Sequence, residues 1–260
     1  MRIAVVQAAG TPGDPSANLT EVRRRATEAA GAGARLVVFP EAFVTGYAID
    51  ADAIAALAEP LDGPGVTELR DIARVTGTGI LCGYCELADG AIHNSAVLIG
   101  SDGSILANAR KTHLFGTLDS GAFWPGTELV SAVLDGVRVG ILICYDLEFP
   151  EAVRRLALDG ARLIAVPTAL MHPDQVVADV LVPARAVENQ VFVAYANRVG
   201  DEGSLRYVGS SCVAGPRGSI VRADGDSETV LYAECDFTAI DRARAAQSYL
   251  RDRRPDLYGS

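Results

Sequence analysis

The chain contains few of the residues that build metal centres. Only three histidines occur among its 260 residues, and aromatic side chains make up 6% of the chain. The histidines are His93, His113 and His172. None of them stands at a spacing typical of metal ligands, so we expect no metal site.

The cysteines are five in number, which leaves at least one of them without a disulfide partner. They are Cys82, Cys85, Cys144, Cys212 and Cys235. An odd number in a chain with no secretory signal predicts reduced thiols. Cys82 and Cys85 have redox-pair spacing, but they fall in a predicted strand, where residues three apart face opposite sides. Zinc would need a second ligand pair, so neither a redox pair nor a zinc site is expected here.

Long apolar runs and basic runs are also missing. Apolar residues make up 49% of the chain, but no segment approaches the roughly 20 residues that a membrane-spanning helix needs. Residues 1–7 are strand-like and too short for a signal peptide. The net charge is −10, which argues against nucleic acid or an anionic membrane as a partner. We expect a soluble cytoplasmic protein.

The order of predicted elements indicates an α/β protein. Strand, helix and strand are predicted at residues 2–8, 15–30 and 36–39, and again at residues 137–143, 150–158 and 163–166. Strand hairpins follow each unit, and no linker or internal repeat separates the halves. We expect one domain over residues 1–260, with two face-to-face mixed sheets and helices outside.

Three later segments carry weaker predictions. Residues 169–190 are predicted as a helical region with a break at Pro183. Residues 191–198 and 207–214 are predicted as strands. The tail, residues 247–260, has too little apolar content to pack alone, so it is either frayed or docked on a partner subunit.

Cys144 follows a short apolar run, Gly140–Ile143, and precedes a helix start at Glu148–Glu151. A thiol between a core strand and a helix N-terminus lies near the positive end of the helix dipole, which favours the thiolate. A buried, inert cysteine fits the same pattern. The rest of the chain has to decide between the two interpretations.

Glu41 and Lys111 also stand directly after predicted core strands, so both could meet Cys144 at one rim of the sheets. Glu41 would act as a general base, provided that burial raises its pKa. Lys111 and the backbone N–H of Tyr145 would bind a developing oxyanion. The thiol would then form a thioester that water hydrolyses. Taken alone, each residue also fits a solvated surface side chain.

The segments around these three residues resemble the signature blocks of the nitrilase, or carbon–nitrogen hydrolase, superfamily. The blocks are Phe39–Tyr47, Arg110–Leu114 and Ile143–Glu151, in the family's order. The resemblance implies a four-layer αββα sandwich, a Glu-Lys-Cys site, no metal or cofactor, and homodimers or higher homo-oligomers.

Within the superfamily, other segments are similar to the 5-aminopentanamidase group and related aliphatic amidases. They are Pro167–Met171, Arg185–Gln190, Ala194–Asn197 and Tyr249–Arg254. One position departs from the common pattern. Many members carry a second glutamate before the Pro-Gly of the lysine loop, where this chain has Asp119. Asp119 is either a second carboxylate that orients Lys111 or the substrate amide, or a plain loop aspartate.

The acyl pocket should be lined by residues beside the three blocks. We expect Tyr47, Phe115, Trp124, Tyr145, Glu148, Thr168, Ala169 and Met171. A substrate with a terminal ammonium would need a carboxylate, and Glu148 and Asp119 are the candidates. His172 is either a pocket residue or a surface histidine.

These observations favour an amidase that hydrolyses a short linear primary amide to the acid and ammonia. An ω-amino amide such as 5-aminopentanamide is the most specific form of that hypothesis. An N-carbamoyl amide hydrolase or a nitrilase would use the same site. A non-catalytic relative that binds a small molecule is the alternative from another class, and only the aspartate at position 119 favours it.

Overall fold

The computed structural model describes residues 1–258, which form two six-stranded mixed sheets and a small ribbon. The first sheet, in spatial order, consists of β14 (Thr229–Glu234), β1 (Arg2–Gln7), β2 (Leu36–Val38), β3 (Gly79–Ala88), β4 (Ala91–Ile99) and β5 (Ile105–Arg110). The second sheet consists of β13 (Ile220–Arg222), β12 (Cys212–Ala214), β9 (Phe192–Ala196), β8 (Leu163–Pro167), β7 (Val137–Ile141) and β6 (Val130–Leu134). The ribbon pairs β10 (Asp201–Glu202) with β11 (Leu205–Arg206).

Within residues 1–258, seven α-helices connect or flank these strands. They are α1 (Pro15–Gly31), α2 (Ala51–Leu57), α3 (Pro64–Thr76), α4 (Gly116–Ser120), α5 (Pro150–Leu158), α6 (Val182–Asn189) and α7 (Thr238–Ala246). Short turns of 3₁₀-helix cover Cys144–Glu148 and Pro255–Leu257, and a π-helical turn covers Val177–Leu181. Asp14 caps α1 by accepting a hydrogen bond from the Ala17 N–H at 2.9 Å, with Pro15 at the first helical position.

Three apolar cores stack these elements into four layers. The central core joins the facing sides of the two sheets, with Val38 and Leu81 from one and Val139 and Ala165 from the other. The outer cores pack α1 and α3 against the first sheet, and α5 and α6 against the second. The predicted αββα sandwich is therefore confirmed.

Both sheets contain a parallel triplet at their centre, β1-β2-β3 in one and β7-β8-β9 in the other. The carboxyl ends of these strands meet across the sandwich. The Glu41 N–H, just past β2, donates to the Thr168 carbonyl, just past β8, at 3.3 Å. This contact places side chains from both sheets at one rim, as expected of strand-end crevices in α/β folds.

Gly83 allows the chain after β2 to pack closely on β3. A Cβ atom at Gly83 would lie 2.4 Å from the Ala42 nitrogen, so only glycine fits beside Glu41. The flanking Cys82 and Cys85 are buried in different apolar clusters and carry free thiols. The prediction that they face opposite sides of a strand is confirmed.

Two predicted elements are shorter in the structure. Of residues 207–214, only β12 is strand, because Gly209 and Ser210 adopt positive φ angles of 65° and 55°. The loop bonds instead to its neighbours, with Gly209 N donating to the Arg198 carbonyl at 3.0 Å. Of residues 169–190, only the part from Val177 onward is helical.

No helix within residues 1–258 is long and apolar enough to cross a membrane. The described part of the tail contains one 3₁₀ turn, and the side chains of Tyr249, Leu257 and Tyr258 are exposed. Docking of this tail on a partner subunit stays a prediction, and residues 259 and 260 lie outside the described residues.

Candidate active site

The three predicted reactive residues converge at the shared rim of the sheets. Glu41 follows β2, Lys111 follows β5 and Cys144 follows β7. The Lys111 ammonium lies 2.7 Å from Glu41 Oε1, and both side chains are fully buried. Both groups are close enough to Cys144 to shift the pKa of its thiol.

Asp119 also belongs to this cluster, on the short helix α4. Its Oδ2 atom lies 2.6 Å from Lys111 Nζ and accepts a hydrogen bond from the Phe115 N–H at 2.8 Å. Its Oδ1 atom accepts from the Tyr47 hydroxyl at 2.9 Å. Asp119 is fully buried, so it is not a solvated loop residue but a second carboxylate on the lysine.

The lysine is the only cation among these contacts, and two carboxylates face it. Burial alone would lower the pKa of Lys111, but Glu41, Cys144 and Asp119 together raise it above its ordinary value. The side chain therefore stays an ammonium that is held between fixed oxygens. Such a group stabilises negative charge on a bound substrate without reorganising.

Only one of the two carboxylate oxygens of Glu41 accepts hydrogen bonds from the described residues. Oε1 accepts from Lys111 and from Asn94 Nδ2, each at 2.7 Å, whereas Oε2 has no hydrogen-bond partner among the described residues. Burial raises the pKa of Glu41, and Asp119 adds to the rise, although Lys111 and Asn94 oppose it. A carboxylate with a raised pKa and a free oxygen is suited to accept a proton.

The thiol of Cys144 differs from the sequence expectation. Burial raises its pKa above the ordinary value, Glu41 raises it further, and Lys111 lowers it. The expected preference for the thiolate is therefore wrong. The physical reason is that α5 begins only at Pro150, whereas Cys144 opens a short 3₁₀ turn before it, and burial outweighs the lysine. A protonated thiol makes the free oxygen of Glu41 necessary as a base.

Cys144 opens a 3₁₀ turn with a φ angle of 47°, in the left-handed region that non-glycine residues rarely adopt. Asp146 holds this turn, because its Oδ2 accepts from the Ile143 N–H at 3.1 Å. Its Oδ1 accepts from the Thr112 hydroxyl at 2.7 Å and the His113 N–H at 2.8 Å. Asp146 thus ties the cysteine segment to the lysine segment. In the sequence, Asp146 stands out only as a member of the Ile143–Glu151 block.

Arg198 holds the backbone of the segment that carries Glu41. This fully buried guanidinium donates to the carbonyls of Glu41 at 3.1 Å and Ala42 at 2.8 Å. Glu202 lies 3.6 Å from it and accepts from the Tyr47 N–H at 2.8 Å. The roles of Asn94, Arg198 and Glu202 could not be predicted from the sequence, because these residues come from strands and loops distant in the chain and carry no local motif.

A cavity of about 190 Å³ opens onto Cys144. It is lined by Tyr47, Phe115, Cys144, Glu148, Leu170, Met171, Asp174, Val176, Val177 and Leu181. The structure thus places four predicted pocket residues (Tyr47, Phe115, Glu148 and Met171) in its wall. Asp174 and the valines were missed, because they lie on a loop and a π-helical turn, whose side-chain directions no simple period predicts.

The other predicted pocket residues lie elsewhere. The Thr168 hydroxyl and the Ala169 N–H face the Cys144 thiol. Tyr145 packs edge-on against Phe115, with ring centroids 5.4 Å apart, and does not line the cavity.

Trp124 requires a correction. Its side chain is 67% exposed and does not line the cavity. Its main chain is held by the neighbouring strand β4, with its N–H donating to Ile92 O at 2.7 Å. This pairing turns the indole outward. His172 is exposed as well, so of the two expectations for it the surface position is the one found.

A larger cavity of about 730 Å³ lies between α1, α3 and β3. It is lined by none of Glu41, Lys111, Asp119 and Cys144. We assign the site to the smaller cavity, because the nucleophile, the base and the cation meet there.

Comparisons with known proteins identify relatives of this chain. The family description "Carbon-nitrogen hydrolase" matches residues 2–245. A hydrolase of Pseudomonas protegens, named "Hydrolase in pqqF 5'region", is 48% identical over 99% of this chain and 90% of its own length. An (R)-stereoselective amidase of Pseudomonas sp. is 37% identical over 100% of this chain and 93% of its own.

A solved structure shows the same architecture. An amidase from Nesterenkonia sp. AN1, with its active-site cysteine replaced and butyramide bound, superposes with a TM-score of 0.86. It is 34% identical, and the match covers 99% of this chain and 95% of that one. On the family match, the relatives and the shared fold, this chain belongs to the carbon–nitrogen hydrolase family.

Proposed function

We propose that the protein is a cysteine-dependent amidase that hydrolyses short linear primary amides to a carboxylic acid and ammonia. The observation that carries the proposal is the buried array of Glu41, Lys111 and Asp119 beside Cys144, at the wall of a small cavity. The relatives named amidases and the butyramide complex of the Nesterenkonia enzyme support the same class of substrate.

In the acylation step, the Cys144 sulfur attacks the amide carbon while Glu41 Oε2 takes the thiol proton. The carbonyl oxygen becomes an oxyanion and is stabilised by the Lys111 ammonium and the backbone N–H of Tyr145. Glu41 then returns the proton to the amide nitrogen. The C–N bond breaks, ammonia leaves, and a thioester with Cys144 remains.

In the deacylation step, Glu41 takes a proton from water and the hydroxide attacks the thioester carbon. The second oxyanion uses the same donors. When it collapses, the C–S bond breaks, the acid leaves, and the proton on Glu41 returns to the Cys144 sulfur. Asp119 acts in both steps by holding the ammonium in place and leaving Glu41 Oε2 free.

The carboxylates in the cavity wall favour a substrate with a terminal ammonium, such as 5-aminopentanamide. Glu148 and Asp174 both line the cavity. Burial raises the pKa of Glu148, and Asp174 raises it further, whereas Lys111 and Arg185 lower it. A substrate cation beside the two carboxylates would relieve the repulsion between them. The apolar remainder of the wall suits a methylene chain.

The non-catalytic hypothesis loses its sequence support. It depended on the shorter carboxylate at position 119, and Asp119 still reaches Lys111 at 2.6 Å. We also propose that the protein acts in the cytoplasm as a homo-oligomer. Light scattering would measure the mass, and a mass of 27.2 kDa, that of a single chain, would contradict the oligomer.

Ammonia release from a panel of substrates tests the function. The panel contains 5-aminopentanamide, pentanamide, butyramide, an N-carbamoyl amino acid and an aliphatic nitrile, with Cys144→Ala as the blank. We expect release from the amides that is lost in the variant. Release only from the carbamoyl compound or only from the nitrile would replace the substrate class. No release from any compound, together with slow alkylation of Cys144, would overturn the enzyme proposal.

A further inference from the structure

Two buried hydroxyl groups behind Cys144 have no role in the steps above. Thr168 and Tyr195 are fully buried, and neither Thr168 Oγ1 nor Tyr195 Oη has a hydrogen-bond partner within residues 1–258. Unpartnered buried hydroxyls are rare because desolvation makes them unfavourable. Glu41 Oε2 and Asn94 Oδ1 are also without a partner at this site, and Glu41 Oε2 has its role as the base. The pair therefore calls for an explanation.

The backbone fixes where these hydroxyls lie. Thr168 follows β8, and its N–H donates to the Ala196 carbonyl at 2.8 Å, while its own carbonyl accepts from the Glu41 N–H. Tyr195 precedes Ala196 on β9 and is paired in register with Val166. Thr168 is thus anchored to the strand that carries Tyr195 and to the segment that carries the base.

The Thr168 hydroxyl lies beside both of the other groups. Burial is the main cause that raises the pKa of the Cys144 thiol and of the Tyr195 phenol, and the Thr168 hydroxyl lowers both values. Such an effect is that of a hydrogen bond to the charged form. Thr168 also stands two residues past Val166, the register partner of Tyr195, so the side chains of Thr168 and Tyr195 lie on the same face of the sheet.

We propose that the Thr168 hydroxyl donates a hydrogen bond to the Cys144 sulfur whenever that sulfur carries negative charge, and that only then the Tyr195 phenol donates to the Thr168 oxygen and orients it. The charge appears when the thiol is deprotonated for attack and again when the C–S bond of the thioester breaks. No proton moves along the pair. Thr168 is then a catalytic residue, because it touches the reacting sulfur, and Tyr195 is a positioning residue that acts through it.

Other charged groups face the same atoms and stay constant in the test. Glu41 and Lys111 act on the Cys144 thiol from the first sheet, and Glu148 acts on the Tyr195 phenol. Substitutions that remove only a hydroxyl leave these charges in place. A change in the pH dependence of the thiol then reports the hydroxyl itself.

Alkylation of Cys144 by iodoacetamide, followed across pH, tests the inference without any turnover. In Thr168→Val we expect alkylation about tenfold slower near neutral pH, with the profile displaced to higher pH, because a hydrogen bond to a charged group is lost. Thr168→Ser should stay within about threefold of the native rate. Tyr195→Phe should slow alkylation about threefold, in the same direction. The double variant should match Thr168→Val, because the phenol acts only through the hydroxyl.

Two variants away from the site serve as matched controls. Thr78→Val removes a buried hydroxyl that donates to the Ala34 carbonyl at 3.2 Å, and Tyr84→Phe removes one that donates to Asn108 at 3.1 Å. Neither should displace the alkylation profile, and circular dichroism would check folding of all variants.

Native rates in Thr168→Val would overturn the inference, and so would additive effects in the double variant. If Thr168→Val fails to fold, the other two variants still test the inference. A native pH profile of alkylation in the isosteric Tyr195→Phe would overturn the role of the phenol. Alkylation of Thr168→Ser more than about threefold slower than in the native protein would overturn the role of the hydroxyl. The inference rests on Cys144 as the nucleophile of the proposed function. It stands apart from the substrate, because the alkylation pattern is measured even if no amide is hydrolysed.

Discussion

The two sheets contribute different things to the site. The first sheet and its loops provide Glu41, Asn94, Lys111 and Asp119, which are all fully buried and joined by contacts of 2.6–2.7 Å. The second sheet provides Cys144 and most of the cavity wall, including the partly exposed Glu148 and Asp174. The charged groups that perform the chemistry are therefore fixed by burial and by one another. The residues of the cavity wall that contact the substrate are less constrained.

The physical reason lies in the cost of burying charge. An ammonium between two carboxylates is tolerated inside a protein only when each group has its partners. Removing one of these charged groups leaves another charge buried without its partner. Six of the ten cavity-lining residues, by contrast, come from one segment, residues 170–181. That segment can vary without unbalancing the charges.

The largest effect should follow from removing the nucleophile. Cys144→Ala should lower kcat by about 10⁴-fold or more, because no thioester forms. Its thermal stability should change little, since only the sulfur is lost. Cys235→Ala, which also removes a buried thiol, is the control and should keep its activity. Substantial turnover by Cys144→Ala would assign the nucleophile elsewhere.

Lys111→Met would remove the cation from the buried charge cluster of the first sheet. It leaves Glu41 and Asp119 facing each other without a cation, so we expect about 3–5 kcal/mol of lost unfolding free energy in urea. kcat/KM should fall about 10³-fold, because the oxyanion loses its main donor. Arg155→Met, in an exposed pair with Asp159, should leave the free energy of unfolding almost unchanged, because solvent screens that pair. Equal losses in the two variants would contradict the comparison.

Asp119→Asn keeps the size of the side chain but removes its charge. We expect kcat/KM to fall about 10- to 100-fold, because Lys111 then pairs with Glu41 alone and draws on the base. Asp119→Glu restores the charge and should be closer to the native enzyme in steady-state assays. If the glutamate variant is the poorer of the two, shape rather than charge is what this position provides.

The pH profile should report the buried base. Glu41 must be ionised to act, and burial raises its pKa, so kcat/KM should fall on the acid side above the ordinary 4.5 of a glutamate. Asn94→Ala removes a hydrogen bond that lowers this pKa and should move the acid limb higher still, with up to about tenfold less activity below it. Asn108→Ala, whose amide serves Glu86 instead, should leave the limb in place. An acid limb at or below 4.5 would contradict Glu41 as the base.

The smallest effect on activity should come from a substitution in the cavity wall. Asp174→Asn should raise KM for 5-aminopentanamide about three- to fivefold, because a partly exposed ion pair contributes about 1 kcal/mol or less. KM for pentanamide, which has no ammonium, should not change. Asp179→Asn, in an exposed pair with Arg222 outside the cavity, is the matched control. Equal changes in KM for both substrates would contradict the proposal that the cavity wall binds a substrate ammonium.

Local sequence patterns predicted the positions at strand ends. Glu41, Lys111 and Cys144 each follow a short apolar run that forms a strand, and such runs are recognisable because burial on both faces requires continuous apolar residues. Asp14 and Pro15 marked the start of α1 for a similar reason, since a cap acts within one turn of the chain. The αββα architecture followed from the order of strands and helices and from the family's three blocks.

What the sequence by itself determined is therefore the set of side chains at the strand ends and the reaction class that they suit. Only the tertiary structure decided that Asp119 reaches Lys111, that Asn94 and Arg198 hold the base, and that Trp124 turns outward. It also decided that burial, and not a helix N-terminus, has the largest effect on the pKa of the Cys144 thiol and raises it. Those outcomes depend on burial and on contacts between residues far apart in the chain, and no local pattern encodes either.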